Sequence, residues 1–465
     1  MKHTPTIFDS GDGLRGKRAP RFSLVTRGAL PGFNCTLFLM LAVAASADLR
    51  AEVPWTFERA IRHAMTNSPD ARIAAARIAA AQAGVQQANA SLWPQLQVQS
   101  TYSASDQPVS VFGYALNQRS YSSALDFNDV PDADNLNVRG LLTVPLYNGG
   151  RTKAGREAAQ AGMESARRSA EAVRNKLAFE VARTFHVVFK TREFTRATDE
   201  AVRSFEGNLL IASNRFHAGT LLKADLLDVA VRLAQAREDL VRARNAHALA
   251  ERALRNLLGI EGGEFTVAQS IPVVSAPKEG SFSERPELIA SREEQRAAEA
   301  EVRRARGGYL PRIDAFGRLD YDRGWHFNGD GGSYTAGVMA QWSLWDGHLT
   351  RGKVSQARAN LETAREEARK LRLAVDLEVE QARLNLNAAR ERLAVTEAAT
   401  ELAAESVTLT RNRFEQGLAI AIQLNDAESA LTATRVRRAE AEADQRIAIA
   451  ALRKALGLSQ FDAPQ

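Results

Sequence analysis

The residues best suited to chemistry are few and scattered along this 465-residue chain. No two of the seven histidines are four positions apart, the spacing that brings two imidazoles to one helix face for a metal ion. They are His3, His63, His186, His217, His247, His326 and His348. Cys35 is the single cysteine, which rules out a cysteine metal cluster and an internal disulfide. No glycine-rich loop precedes a Lys-Ser or Lys-Thr pair, so no ATP site is predicted.

One acidic, glycine-rich stretch, Gly329-Asp330-Gly331-Gly332, resembles a single turn of a calcium-binding repeat. A lone copy of such a turn is more typical of a β-hairpin. Runs such as Arg365-Glu366-Glu367 are typical of solvated helix faces. The sequence therefore predicts no enzyme, no cofactor and no metal site.

The dominant feature of the chain is a long internal repeat. Most of the stretch from Gly149 to Gly259 returns at a single offset of 198 positions. The matching motifs are Leu146-Tyr147-Asn148-Gly149 with Leu344-Trp345-Asp346-Gly347, Asn214-Arg215-Phe216 and Gly219 with Asn412-Arg413-Phe414 and Gly417, Leu226 and Asp228 with Leu424 and Asp426, and Leu258-Gly259 with Leu456-Gly457. One offset held over about a hundred residues indicates a duplicated architecture rather than several unrelated domains.

Each copy contains strands followed by long helices. Alternating polar and apolar residues predict the strands, and an unbroken helical period of about 65 residues predicts helices of roughly 100 Å. The sustained seven-residue spacing indicates antiparallel coiled-coil packing. The first repeat, 48–260, has predicted strands at about 95–104 and 136–147 and helices at about 150–215 and 225–258. The second repeat, 284–457, has predicted strands at about 312–321 and 333–345 and helices at about 348–412 and 423–456, with a connector at 261–283 and a tail at 458–465.

The two hairpins differ in length. Pro94 and Pro311 precede the first strand of each copy and are 217 positions apart, whereas the later motifs are 198 apart. The first hairpin loop is therefore longer by 19 residues, and we interpret it as an exposed loop of about thirty residues.

Residues 1–47 are predicted to be a signal peptide. A basic segment ending at Arg27 precedes the apolar stretch 35–47, which closes with the cleavage pattern Ala45-Ser46-Ala47. Without its six basic and two acidic residues, the formal charge falls from +6 to about +2. The basic character is thus mostly that of the leader, and no nucleic-acid partner is expected.

Aromatic residues are concentrated in the two strand-loop-strand stretches. All seven tyrosines and four of the five tryptophans lie within 93–147 and 309–345. This distribution favours belts at a membrane interface, although aromatics covering a small soluble sheet remain an alternative. Four strands cannot close a barrel in a bilayer, so membrane-spanning hairpins would require two, three or four chains sharing eight, twelve or sixteen strands.

The order helix-helix-strand-strand-long helix-helix occurs twice, with Pro94 and Pro311 opening the first strand of each copy. Together with the two turns Phe216-x-x-Gly219 and Phe414-x-x-Gly417, this order resembles the TolC family of outer-membrane efflux proteins over residues 55–457. The resemblance implies a mainly α fold with a small β part. Three chains would share a twelve-stranded transmembrane β-barrel, which continues as an α-barrel in the periplasm. It implies an outer-membrane exit duct of a tripartite efflux or type I secretion system. Its partners would be a periplasmic adaptor and an inner-membrane transporter of the RND or ABC type.

The same resemblance assigns two groups of residues at the periplasmic end. The adaptor would contact the two glycine turns, Ala218-Gly219-Thr220 and Gln416-Gly417-Leu418. Residues shortly after the turns would surround the aperture: Asp225, Asp228, Gln423 and Asp426. Gln423 departs from the family's double acidic pattern, which leaves Asp426 as the acidic residue of the second turn. The glycines also fit simple helix ends, and Asp225 and Asp426 also fit charges that favour a helix N-terminus.

Two other functions are compatible with the sequence. An exported coiled-coil scaffold with a small sheet would have no pore and would be soluble without detergent. A stand-alone porin would pass solutes with no adaptor present. The nature of the transported substrate is not encoded in any motif that we find.

Overall fold

The computed structural model describes residues 54–126, 128–262, 265–270, 272, 274–277 and 280–461. The predicted signal peptide at 1–47 lies outside the described residues, as do parts of the connector and the end of the tail. The elements follow one another as α1 (Phe57–Asn67), α2 (Pro69–Ala90), β1 (Gln95–Ser105), α3 (Pro108–Asn117), β2 (Ala133–Tyr147), α4 (Arg151–His217), α5 (Lys223–Leu257), α6 (Pro286–Arg306), β3 (Arg312–Arg323), β4 (Asp330–Gln341), α7 (Leu349–Glu415) and α8 (Ala421–Ala455).

The repeat is visible in the lengths of the helices. α4 and α7 have 67 residues each, and α5 and α8 have 35 each. α2 and α6 both begin with a proline in their first turn, where a missing N–H leaves no hydrogen bond unmade. In the described part of the chain α1 belongs to the first repeat alone, because the second repeat begins directly with α6.

The four strands form one antiparallel sheet in the order β1-β2-β3-β4. β2 and β3 join the two repeats, with Gly140 opposite Leu319. The register shifts next to Pro145, and a bulge is one of the few places where an inner strand accepts a proline. β1 and β4 are the two edges of the sheet within the chain.

β4 differs from the strand predicted at 333–345. It runs from Asp330 to Gln341, and residues 342–345 lie outside it. The reason is pairing, since Gln341 faces Arg312, the first residue of β3, and no strand continues beyond it. The chain instead leaves the sheet, and the Trp342 indole N–H donates to the Tyr309 carbonyl at 3.0 Å.

The sheet has one apolar and one polar face. Strand alternation and the pairing register place Leu96, Val98, Leu142, Leu319 and Tyr334 on the same side. The opposite side carries a network of amides, carboxylates and guanidinium groups. Its contacts include Asn135 to Asp322 at 2.6 Å, Arg139 to Asp320 at 2.6 Å, Arg318 to Asp320 at 2.7 Å and Arg312 to Asp314 at 2.6 Å.

The first hairpin loop is not a plain loop, which corrects the expectation from the sequence. Residues Pro108–Asn117 form the helix α3, which contacts β2 and β4. The proline at its start and the buried Val111 and Ala115 explain why this polar segment contains a helix. The second hairpin turns as predicted, with the Gly324 N–H donating to the Gly329 carbonyl at 3.0 Å.

The long helices pack side by side along their predicted seams. α4 packs against α5 and α8, and α8 packs against α7, which gives the order α5-α4-α8-α7. The buried seam residues are small or branched, such as Val181 and Val188 in α4 and Val379 and Leu386 in α7. This pattern is the close packing expected of a coiled coil. Among the described helices, none is long and apolar enough to cross a membrane.

The largest core cluster lies where α1 meets the middle of α4. Phe57 and Ile61 of α1 pack against Val181 and Phe185 of α4 and Leu254 of α5. His186 is buried in the same region, and burial, together with the nearby Arg446 charge, lowers its pKa to about 4. Its imidazole is therefore neutral at neutral pH.

Candidate functional site

The predicted tip residues lie where the long helices turn back. α4 ends at His217, and Gly219 adopts φ +72°; α7 ends at Glu415, and Gly417 adopts φ +78°. Left-handed backbone of this kind disfavours any side chain, which explains the glycine in both copies. In each turn the residue after the glycine donates its N–H back into the helix, at 2.9 Å from Thr220 and 2.8 Å from Leu418. The interpretation of both glycines as helix ends is therefore correct.

The structure brings the two turns together. The Arg215 guanidinium donates to the Phe414 carbonyl at 2.8 Å and lies 4.9 Å from the centre of the Phe414 ring. The same guanidinium lies close to Gly417: a Cβ atom added to this glycine would be 3.6 Å from it. Arg215 is part of the repeated Asn-Arg-Phe motif, but sequence reasoning did not single it out. It links the first turn to the second across 199 positions of sequence.

All six residues of the two turns are exposed. They are Ala218, Gly219, Thr220, Gln416, Gly417 and Leu418. Beneath them Ala212, Val229, Phe414, Ala421 and Leu424 form a small buried core. The tip therefore consists of a small packed core with the two glycine turns exposed to solvent above it.

The four predicted aperture residues have different surroundings. Asp225 is half-buried in the first turn of α5, as expected for a carboxylate that favours a helix N-terminus. Asp228 accepts a hydrogen bond from the Asn425 amide at 3.3 Å. Gln423 is exposed, and its side-chain oxygen accepts the Ile420 N–H at 3.4 Å.

Asp426 is the most exposed charge of this group. Its side chain is 66% exposed and lies 3.9 Å from the Arg232 guanidinium. α8 begins at Ala421, so Asp426 is outside the first turn, and the interpretation as an N-terminal helix charge fits Asp225 but not Asp426. An ion pair at this distance between exposed groups contributes little, so the Asp426 carboxylate is mainly solvated.

Further polar contacts join the second helix pair to the first near the tip. The Arg411 guanidinium bonds the Ser204 hydroxyl of α4 at 2.6 Å and also pairs with the buried Glu428 carboxylate of α8. Glu428 lies two residues after Asp426 in α8, and no sequence pattern identified it.

The histidines stay apart. His247 is half-buried and shares a hydrogen bond of 3.1 Å with the Thr191 hydroxyl, as a packed seam residue would. Within the described ranges, no group of three or more His, Cys, Asp or Glu side chains is arranged to hold a metal ion.

The chain combines two parts. Long paired helices end in exposed glycine turns, and they are joined to a sheet with one apolar face and two open edges. Together these parts define the subunit of a membrane channel with a long helical extension. The model of a family described as outer membrane efflux protein matches residues 60–260 and 281–458, most of the chain. The chain belongs to this family. It is an outer-membrane exit duct for tripartite efflux, located in the outer membrane and extending into the periplasm.

Solved outer-membrane proteins share the fold. The outer membrane protein VceC from Vibrio cholerae is 18% identical, with a TM-score of 0.73 over 87% of this chain and 96% of that one. The outer membrane channel CmeC from Campylobacter jejuni is 16% identical, with a TM-score of 0.75 over 88% and 87%. The open state of the MtrE channel from Neisseria gonorrhoeae is 16% identical, with a TM-score of 0.71 over 87% and 89%. No curated protein sequence matches significantly.

Family membership decides between the functions left open by the sequence. A channel that works in tripartite efflux is favoured over the coiled-coil scaffold without a pore. The family and the structural relatives are channel proteins rather than enzymes. Systems of this kind include an adaptor and an inner-membrane pump.

Proposed function

We propose that three copies of this chain assemble into one duct, with a shared twelve-stranded barrel and a continuous helical tunnel. The observation that carries the proposal is the open sheet. Its apolar face is highly exposed in a single chain, at 75% for Val98 and 80% for Tyr334. Lipid can cover that face, but it cannot satisfy the unpaired backbone groups of β1 and β4.

The size of the barrel supports three copies. Two chains would supply eight strands, and the interior of such a barrel is filled by side chains. Three chains supply twelve strands and are the smallest number that leaves an open channel. The polar network of Asn135, Arg139 and Asp320 would then line the water-filled interior, and the apolar face would contact lipid.

The four long helices, in the order α5-α4-α8-α7, form a wall whose two end helices are α5 and α7. The exposed surfaces of these two helices support the same assembly. Seven large apolar residues of α7 are exposed in the chain, and at 3.6 residues per turn six of them lie within about 40° of one another. These six residues, the α7 stripe, are Leu373, Leu377, Leu384, Val395, Leu402 and Leu409. They lie opposite the seam that packs on α8. On α5, the other end of the wall, Leu227, Val231, Val241 and Leu249 form a similar exposed group, the α5 stripe.

The internal repeat supports one particular pairing of these stripes. The positions of α4 that correspond to Leu384, Val395 and Leu402 are His186, Ala197 and Ser204. In α4 this face is buried or half-buried, and α4 packs against α8. Because α8 is the second copy of α5, the equivalent partner of α7 is the α5 of another chain. The α7 stripe of one copy would therefore pack on the α5 stripe of the next, as α4 packs on α8 within the chain.

At the tip, the two glycine turns would receive the periplasmic adaptor. They are exposed, they lie together, and Leu222, Leu418 and Ile420 next to them expose large apolar surfaces. Apolar side chains around a glycine backbone suit close contact with a partner helix. The adaptor would connect the duct to an inner-membrane transporter of the RND or ABC type, for efflux or for type I secretion.

The trimer is tested on protein extracted from outer membranes in detergent. Light scattering, corrected for bound detergent, should give three times the mass of the mature chain, and the same sample should form water-filled channels in planar bilayers. A monomer that is soluble without detergent would contradict the proposal.

The tip is tested with Gly417→Arg, which places a large side chain in the second turn. Export by the complete system should fall at least tenfold while the trimer stays intact, because one unfavourable contact at an interface commonly costs more than about 1.4 kcal/mol. Gly347→Arg is the matched control, since Gly347 also has a positive φ of +63° and no atom within 4 Å of an added Cβ, but lies at the other end of α7. Equal loss of export in both variants would indicate backbone strain rather than an adaptor contact.

A further inference from the structure

The helix α3 lies on the polar face of the sheet. The Tyr114 hydroxyl donates to the Ser103 hydroxyl at 2.9 Å, and the Gln118 amide donates to the Asn135 side-chain oxygen at 3.0 Å. Ser103 and Asn135 face each other across β1 and β2 on the side that carries the polar network. The loop that holds α3 is at the end of the sheet opposite to the long helices, because α2 leads directly into β1 and β2 leads directly into α4.

The second hairpin is shaped to seat α3 and the residues after it. Added Cβ atoms at Gly324 and Gly331 would collide with the Gln118 side chain and the Asn117 carbonyl. The Arg119 guanidinium donates to the Gly332 carbonyl at 3.1 Å, and the buried Gln118 also donates to the Asp134 carbonyl at 2.8 Å. The position of α3 is therefore fixed by contacts with both hairpins.

α3 has two apolar faces, and its packing uses one of them. Val111 and Ala115 are completely buried against the sheet side. Val109, Phe112 and Leu116 follow a spacing of three and four residues, which places them together on a second face, about 110° around the helix axis from Val111 and Ala115. They remain 78%, 39% and 47% exposed. Because α3 lies on the polar side of the sheet, its exposed stripe lies inside any barrel that this sheet closes with the polar face inward.

We propose that the α3 helices of the assembled copies form an apolar collar inside the outer mouth of the channel. The occupant of the exposed α3 face is the same face of the other copies, and the inference rests on the trimer proposed above. Three helices projecting inward narrow the lumen at its extracellular end, and their apolar side chains disfavour water in the constriction. The collar is distinct from the acidic periplasmic aperture and comes from the insertion that only the first repeat carries.

The collar is tested first by conductance. Val109→Ser together with Leu116→Ser removes bulk and apolar surface from the exposed stripe and leaves the buried face of α3 intact. Single-channel conductance in planar bilayers should rise roughly twofold, as for the opening of a hydrophobic constriction. Leu319→Ser is the matched control, since Leu319 is an exposed apolar residue on the other face of the sheet, and its conductance should equal that of the wild type.

Cross-linking provides a second measurement that does not depend on the double variant folding. Leu116→Cys introduces a thiol into a mature chain that is expected to have none, and a short bifunctional maleimide should then link copies to one another. Leu319→Cys should give no links, because its side chain faces outward.

The outcomes separate the two proposals. Intact trimers with raised conductance in the double variant and links through Leu116→Cys support the collar. Intact trimers with unchanged conductance and no links would overturn the collar and leave the trimer standing. Wild-type protein that is not a trimer would overturn both.

Discussion

α4 and α7 are equal in length and related by the repeat, yet they are buried to different extents. In α4 19 of 67 residues are buried, and in α7 only 10 of 67. α4 is covered by five helices, α1, α2, α5, α6 and α8, whereas α7 is covered by α6 and α8. The difference comes from position in the wall, because α4 is an inner helix of the chain and α7 is the last one.

Single positions show what this difference means. His186 of α4 is buried beside Phe57, whereas Leu384, 198 positions later, is 60% exposed. A polar residue inside and an apolar residue outside reverse the usual arrangement. If the exposed face of α7 is buried in the assembly, Leu384 becomes an interior apolar residue and the usual arrangement is restored. Differences between two copies of one repeat can thus locate a surface that a single chain leaves uncovered.

The largest effect should come from charge on the α7 stripe. Leu402→Asp places a carboxylate where the proposal buries a leucine, and burial of one leucine contributes about 1.5–3 kcal/mol even before the cost of the charge. With three such sites we expect no stable trimer by light scattering. Thr408→Asp, an exposed α7 position outside the stripe, should leave the trimer intact. Trimers in both variants would break the argument drawn from α4 and α7.

The next comparison concerns the residue before the proline that begins α2 in the first repeat and α6 in the second. In the second repeat Arg285 is buried and pairs with Glu378 at 2.8 Å and Glu287 at 2.9 Å. In the first repeat the same position is Ser68, also buried but without charge. Burial raises the pKa of Glu378, but hydrogen bonds from Lys454 and Arg285 outweigh it, so that the pKa lies below its usual value.

We expect Arg285→Ala to cost about 3 kcal/mol of unfolding free energy, because it removes the ion pair of Glu287 and leaves Glu378 with Lys454 as its cationic partner. Ser68→Ala, for which no side-chain cap hydrogen bond is present, should cost less than about 1 kcal/mol. Chemical denaturation followed by helical circular dichroism compares the two. Similar costs would show that the charge cluster adds nothing beyond the shared backbone geometry.

The fold was accessible from the sequence because it depends on periodicity and on a repeat. The alternation at 95–104 and the unbroken helical period after Arg151 act locally, so the strands and long helices were predicted close to their observed limits. The end of β4 was not, because it depends on where its partner begins at Arg312. α3 was missed for a similar reason. Its C-terminal end packs closely on Gly324 and Gly331, which are about 210 residues further along the chain.

The candidate site was predictable in part. The glycines of the two turns indicate left-handed backbone at a helix end, and this conformation can be predicted from the residue type alone. Arg215, Arg411 and Glu428 act through contacts between helices, and the sequence does not show which arginine of a repeated motif reaches across. The adaptor contact and the aperture remain predictions.

A smaller effect is expected from pH at His186. Its pKa falls from 6.5 to about 4 on folding, because burial and Arg446, which pairs with Glu442, disfavour the charged ring. Between pH 6.5 and 4 the unfolded chain therefore binds a proton that the folded chain does not bind. The contribution of neutral His186 to the free energy of unfolding is fully present above pH 6.5 and is lost as pH falls toward 4. Between pH 7 and pH 5 the loss is about 2 kcal/mol.

The thermal midpoint of the wild-type protein should fall between pH 7 and pH 5, and His186→Gln should reduce that fall. His217→Gln is the matched control, because His217 is an exposed histidine at the tip and should leave the pH dependence unchanged. An identical pH dependence in the wild type and the His186 variant would assign the effect to other groups.

The smallest effect compares the acidic residues of the two tips. Asp228 is half-buried and bonded to Asn425, while the corresponding Asp426 is exposed. In a trimer, three copies of Asp426 would place like charges around one aperture and attract cations. Asp426→Asn should therefore lower the cation-to-anion permeability ratio roughly twofold in reversal-potential measurements, and Asp228→Asn should lower it less, because a bonded carboxylate is less available to ions. Equal shifts in the two variants would show that total charge at the tip, and not the difference between the two turns, sets ion preference.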